Sequence, residues 1–277
     1  MIEDSAERPT PPEDPHADEP EPLPALVRGL ASLSDAQMQQ LAAYRDALFV
    51  ANQSTNLTAI RDLDGIERKL IVESLRLLAP LDGRITALGT ARPTLIDIGT
   101  GGGIPGIVIA IARPQIDVTL LDATGKKIAF LNGVIDALKL ENARTIHGRA
   151  EEVGLDRQIR GRYDIGTARA VSSIPALMEL GLPLLKRGGV LFLSKGAEIE
   201  DELRAGSRAG DILGGSILEA SFLPDAKTSI ATRLVIVEKT APTPGAYPRR
   251  SGIPSRNPLG TDSRSSRPVP HDRGEDR

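Results

Sequence analysis

One stretch constrains the fold of this chain more than any other: Asp97-Ile98-Gly99-Thr100-Gly101-Gly102-Gly103-Ile104-Pro105-Gly106. It follows the apolar Thr94-Leu95-Ile96 and precedes Ile107-Val108-Ile109-Ala110-Ile111-Ala112, an order that reads as strand, glycine-rich turn and helix. Glycine permits positive φ and removes the Cβ atoms that would keep a ligand from the backbone. Pro105 suits the first turn of the helix, where an N–H lacks an intrahelical partner. A helix N-terminus also offers free N–H groups and a positive dipole end. The stretch therefore predicts a nucleotide-type cofactor pocket on an α/β sheet.

Two fingerprints overlap in it. Gly101-x-Gly103-x-x-Gly106 fits the dinucleotide pattern, with Asp122 about twenty residues on at a strand end, and so keeps an NAD-dependent oxidoreductase open. Asp97-x-Gly99-x-Gly101-x-Gly103 instead resembles motif I of methyltransferases that use S-adenosylmethionine (AdoMet). The carboxylate favours the second reading. Asp97 at the mouth of the pocket would repel a pyrophosphate, whereas the ammonium and sulfonium of AdoMet are cationic. Glycine-rich turns also serve as plain packing corners.

At 277 residues the chain has room for one or two domains and a substantial core. Cysteine is absent, which removes disulfides, thiolate nucleophiles and Cys-ligated zinc. The histidines are His16, His147 and His271, two of them in tail regions, so no metal site is expected. With four Phe, three Tyr and no Trp, a broad stacking platform for nucleic acid is not available. No membrane-length apolar run occurs, and the N-terminus is acidic without an apolar signal segment; a cytoplasmic protein without membrane contact is expected.

The net charge of −3 conceals an asymmetry. Residues 1–22 hold eight acidic groups, one arginine and six prolines, and residues 243–277 hold seven arginines against four acidic groups. Both read as disordered tails, acidic and basic respectively, flanking a domain over 23–242 that is nearly neutral. Arg249, Arg250 and Arg256 lie in a stretch free of acidic residues, and Lys126 and Lys127 open a helix; all are candidates for phosphate contact.

Along the chain, Ser34-Asp35 caps a helix running to Ala51, and a second helix is predicted over 64–79. Strand and helix then alternate: strands at 95–98, 118–122, 144–146, 163–167 and 190–193, helices at 105–112, 127–140 and 174–186, the last bent by Pro183. Residues 216–222 and 233–237 read as a closing pair of strands. With ligand glycines after the first strand, this is a doubly wound, Rossmann-like sheet preceded by helices. Asp122, at the end of the second strand, can accept hydrogen bonds from both ribose hydroxyls of an adenosine. The run Gly148-Arg149-Ala150-Glu151-Glu152 would border the adenine with the backbone of Ala150 and Glu151, and Arg169 ends a central strand facing the crevice.

These pieces, with Asn56-Leu57-Thr58-Ala59-Ile60, Leu184-Leu185-Lys186-x-Gly188-Gly189, Ser194-Lys195-Gly196 and Tyr247-Pro248-Arg249-Arg250-x-Gly252-x-Pro254, resemble the small-subunit ribosomal RNA methyltransferase G family, also called glucose-inhibited division protein B. The likeness covers residues 35–260. It implies an AdoMet-dependent methyltransferase sheet, transfer of methyl to N7 of a guanine in 16S rRNA (guanine 527), with 16S rRNA or the small ribosomal subunit as partner, and cofactor contacts at Gly99, Ile104, Ala150, Glu151 and Arg169. Gly101 and Asp122 complete the candidate cofactor residues. Guanine N7 carries a lone pair and no proton, so this chemistry requires no general base, and no catalytic residue is assigned. A non-catalytic AdoMet-binding protein of the ribosome fits the same residues. Two departures from the family, Leu70 where a His is usual and Ala51 where an aromatic is common, are expected to lie outside the cofactor pocket.

Overall fold

A computed structural model describes residues 27, 30–169, 172–223 and 231–261. The acidic segment 1–22 and residues 262–277 lie outside the described residues.

Helix α1 (Asp35–Asn52) starts at a full capping box, with Ser34 and Gln37 satisfying each other's backbone N–H. The predicted second helix is instead interrupted: α2 (Leu63–Ile66), a π-helical turn (Glu67–Val72), α3 (Glu73–Leu75), then α4 (Leu78–Leu88). Pro80 explains the break, because its ring would meet the carbonyl of Arg76 in a continuous helix, while the first turn of a new one tolerates it. The alternating part follows as β1 (Thr94–Ile98), α5 (Gly106–Ala112), β2 (Asp117–Asp122), α6 (Gly125–Leu138), β3 (Ala143–His147), α7 (Ala150–Val153), β4 (Tyr163–Arg169) and α8 (Ile174–Gly181). The helix expected to reach Lys186 stops at Gly181. Pro183 sits in a single 3-10 turn, and β5 (Leu185–Lys195) has already begun. Helix α9 (Glu200–Leu213), which the sequence pattern did not announce, precedes β6 (Gly215–Phe222) and β7 (Arg233–Lys239).

The seven strands stand in the order β3-β2-β1-β4-β5-β7-β6. The first five are parallel, and β7 pairs antiparallel with both β5 and β6. The crossover direction reverses between β1 and β4, and ligands of open α/β sheets bind where that happens, at the carboxyl ends of the strands. Each face of the sheet buries its own apolar cluster. Leu95, Ile107, Leu120 and Leu131 belong to one, and Ile96, Ile98, Leu177 and Leu191 to the other. Among the described residues no helix is long and apolar enough to cross a membrane.

The chain does not leave the domain at residue 243. Thr243 is buried and its hydroxyl joins Leu213 O and the Lys239 ammonium, Pro254 is buried in a short helix α10 (Ile253–Arg256), and Arg208 Nε donates to Gly260 O (2.6 Å). The expected boundary before a basic tail at 243 is corrected for residues 243–261. Composition reads the arginines and prolines there as signs of disorder, but Arg249 pairs with Glu179 on α8 and Pro248 and Pro254 are buried.

Candidate active site

A cavity of about 730 Å³ opens at the carboxyl ends of β1, β2 and β4. All seven candidate residues line it: Gly99, Gly101, Ile104, Asp122, Ala150, Glu151 and Arg169. They arrive from the turn after β1, from the last positions of β2 and β4, and from α7.

The glycine turn divides its work. Gly101, at φ 60°, has nothing nearer to a Cβ position than Leu57 O at 3.5 Å, so its missing side chain keeps the cavity open. At Gly106 a Cβ would stand 2.2 Å from Leu120 and 2.8 Å from Asp97 Oδ2, so this glycine serves close packing of α5 on the sheet. Tyr44, fully buried on α1, donates its hydroxyl to Gly102 O (2.8 Å) and ties the N-terminal helix to the turn.

Asp97 is not at the mouth of the pocket. Side chains alternate along β1, so Ile96 and Ile98 face one layer while Leu95 and Asp97 face the layer of α5. The carboxylate is fully buried beneath the turn, where it accepts from Gly106 N (2.9 Å), Thr100 Oγ1 (2.6 Å) and Thr167 Oγ1 (3.0 Å). Burial raises its pKa to about 6, against the pull of those donors and of Arg169. The expectation that Asp97 faces a cationic cofactor is therefore corrected. Pro105 also precedes the helix instead of opening it, and the first helical N–H, from Gly106, is already given to Asp97. A pyrophosphate would need such N–H groups.

Asp122, the last residue of β2, lines the cavity and is buried. Its Oδ2 accepts from Gly101 N (3.0 Å), its Oδ1 from Thr124 N (2.9 Å), and Lys127 Nζ lies 3.7 Å away. Each oxygen retains a second lone pair for a hydroxyl. Ala150 and Glu151 form the first turn of α7, whose N–H groups have no intrahelical partner. The Glu151 carboxylate turns away to accept Gly252 N (2.8 Å). Arg169 reaches across to the π-helical turn and donates to the carbonyls of Lys69 and Leu70. Burial pushes its pKa down, while Glu73, Asp97 and Tyr44 pull it back.

Residues that the sequence left unassigned complete the walls. Thr58, Ala59 and Ile60 line the cavity from a loop held by buried Asn52, which accepts from Leu57 N and Thr58 N (both 3.0 Å) and donates to Ile60 O (2.7 Å). The run Asn56–Ile60 had carried a resemblance, but nothing local showed that it folds back over the glycine turn. Leu70 also lines the cavity, contrary to the expectation that this departure lies outside it. Ser255 does so from α10. Arg249, expected to meet phosphate, is instead paired with the fully buried Glu179 (2.6 Å). Among the described residues no group of three or more His, Cys, Asp or Glu could hold a metal ion.

A cavity open at a glycine, a carboxylate at the end of the second strand and backbone N–H groups at the third form a cradle suited to an adenosine cofactor with no phosphate. Comparison with known proteins agrees. The family model GidB, rRNA small subunit methyltransferase G, matches residues 37–230. The ribosomal RNA small subunit methyltransferase G of Chloroflexus aggregans is 42% identical over 82% of this chain and 92% of its own. That of Acetivibrio thermocellus is 40% identical over 82% and 91%. Among solved structures, the antibiotic-resistance methyltransferase Kmr aligns at 20% identity over 58% of this chain and 92% of that one, with a TM-score of 0.45. The chain belongs to the rRNA small subunit methyltransferase G family.

Proposed function

We propose that this protein transfers the methyl group of AdoMet to N7 of a guanine in 16S rRNA, at guanine 527, and that it acts on the rRNA or the small ribosomal subunit in the cytoplasm. The observation that carries the reading is the cleft itself: Asp122, the open Gly101 and the α7 backbone converge on one cavity in a chain of this family. Asp122 would hold the ribose hydroxyls, Ala150 and Glu151 the adenine edge through their backbone, and Gly99, Gly101 and Ile104 the remainder, with Arg169 closing the far side. Bound AdoMet supplies an electrophilic methyl on its sulfonium.

The protein's own residues orient and enclose. Guanine N7 already presents a lone pair, so no side chain needs to move a proton. Positioning alone is worth up to roughly 7–11 kcal/mol when the reacting atoms are held at near-attack distance. Ala59, Ile60 and Leu70 supply an apolar side to the cavity.

The test is to incubate unmethylated small subunits with purified protein and labelled AdoMet, then map the modified nucleotide. Methyl at N7 of guanine 527 is the expected result; label at another base, or none, sinks the reading, and the latter outcome with AdoMet bound would favour the non-catalytic alternative. In the same assay Gly101→Val should abolish AdoMet binding in calorimetry with the fold retained, because a β-branched side chain at positive φ enters the open cavity.

A further inference from the structure

The segment after β7 returns to the cleft and is tied down at three levels. At its root, Arg160 donates to the carbonyls of Gly154 (2.7 Å), Thr243 (2.8 Å), Pro244 (3.2 Å) and Tyr247 (2.8 Å). In its middle, Glu179 on α8, fully buried, accepts from Arg249 N (2.8 Å), Nε (2.9 Å) and Nη2 (2.6 Å). The same guanidinium donates to Asn257 O (2.9 Å), which closes residues 249–257 into a loop. At its tip, Gly252 N donates to Glu151 Oε1 (2.8 Å), and the hydroxyls of Ser251 and Ser255 meet Glu152 and Ser172 (both 3.3 Å).

Such anchoring does not belong to a solubility tail. A fully buried carboxylate costs desolvation free energy that its ion pair only balances, so its distinctive effect is on where the chain lies. Two side chains of the loop are left over. Arg250 and Arg256 are exposed, and among the described residues neither has an ion-pair or hydrogen-bond partner for its side chain. Ser255, next to Arg256, lines the cavity, as does exposed Arg149 beside Glu151. Guanidinium groups present the planar fork that matches phosphate oxygens.

We propose that Arg250 and Arg256 bind phosphodiester groups of the RNA beside the methyl acceptor, and that Glu151 and Glu179 are positioning residues that hold these arginines at the rim of the cofactor cleft. The proposal rests on the methyltransferase reading above and adds its substrate-binding side. Glu151 serves both: it lines the cavity, and its side chain accepts from Gly252 N of the loop. Occupancy of the cleft and placement of the arginines therefore share one residue.

The experiment uses the full chain, small ribosomal subunits lacking the modification, and four proteins: the parent, Arg250→Ala with Arg256→Ala, Glu151→Ala, and Glu151→Gln. Initial rates are measured across several salt concentrations, subunit binding is measured directly by filter retention, and AdoMet affinity by calorimetry. The double arginine variant should raise the KM for subunits by about tenfold with kcat and AdoMet affinity held within about twofold. Its salt slope should fall by roughly 0.7–0.9 for each phosphate no longer neutralised. Glu151→Ala should raise the subunit KM, and Glu151→Gln, whose amide oxygen still accepts from Gly252, should restore it. Parent-like KM, filter binding and salt slope in the double arginine variant overturn the phosphate assignment. An unchanged subunit KM in Glu151→Ala overturns the positioning assignment. If the parent itself fails to methylate subunits, the methyltransferase reading falls, and filter binding still decides on the arginines, whose exposed side chains leave the fold undisturbed.

Discussion

The carboxylate of Asp97 is sealed under the glycine turn with three donors around it, and burial still lifts its pKa from 3.8 to about 6. The native state thus binds this proton more tightly than the unfolded chain does. Stability from this group is greatest below about pH 4, declines as pH rises toward 6, and levels off above it. The full difference amounts to about 3 kcal/mol. Asp97→Asn keeps an acceptor for Gly106 N and removes the titration. Urea unfolding of parent and variant from pH 4 to 8 should show the parent losing stability relative to the variant as pH rises; parallel curves would mean that the buried carboxylate does not titrate in this window. At this scale, the convergence of the seven candidate residues on one cavity was legible, because each lies in the glycine turn, at the last position of a strand or within a few residues after one. The role of Asp97 was not, since motif spacing says nothing about which face of a strand a residue occupies. The alternation Leu95, Asp97 against Ile96, Ile98 held that information.

Between residues and the whole stand the elements that bring distant carbonyls within reach. The π-helical turn Glu67–Val72 offers its backbone oxygens to Arg169, which the end of β4 delivers from the other side of the cleft. Lysine keeps the charge and loses the fork. Arg169→Lys should therefore weaken AdoMet binding by about tenfold in calorimetry, as the wall containing Leu70 loosens. Affinity equal to the parent's would show that this anchoring does not shape the cavity. A π-helical turn has the same apolar spacing as an α-helix over so few residues, which is why hydrophobic periodicity predicted one helix over 64–79. Helix α9 escaped notice for a different reason. Its packed face is made of Ala205, Gly206, Ala209 and Gly210 with Leu213 at its end, and a Cβ at Gly206 would lie 2.8 Å from Ile174. Small residues that let helices approach closely carry little hydrophobic signal.

For the molecule as a whole, alternation of apolar runs with turns predicted the doubly wound sheet and its antiparallel closing pair, because those patterns arise from local spacing. The extent of the domain depends on long-range partners, and composition misplaced it. Two truncations test the revised end. A chain stopping after residue 261 keeps Arg160, Glu179 and Arg208 satisfied and should unfold with the parent. One stopping after residue 242 leaves Glu179 buried without its cation, a loss of about 3–5 kcal/mol, and should lower Tm on the order of 10 °C. Equal melting temperatures in calorimetric scans would return the boundary to residue 243.

The cleft is walled by residues from Leu48 to Ser255, so its lining is assembled from nearly the whole described chain. Domains form during synthesis from the N-terminal side. The last wall of this one arrives only when Ser255 has emerged. A copy whose synthesis stops short of Ser255 therefore has a cleft with one wall missing.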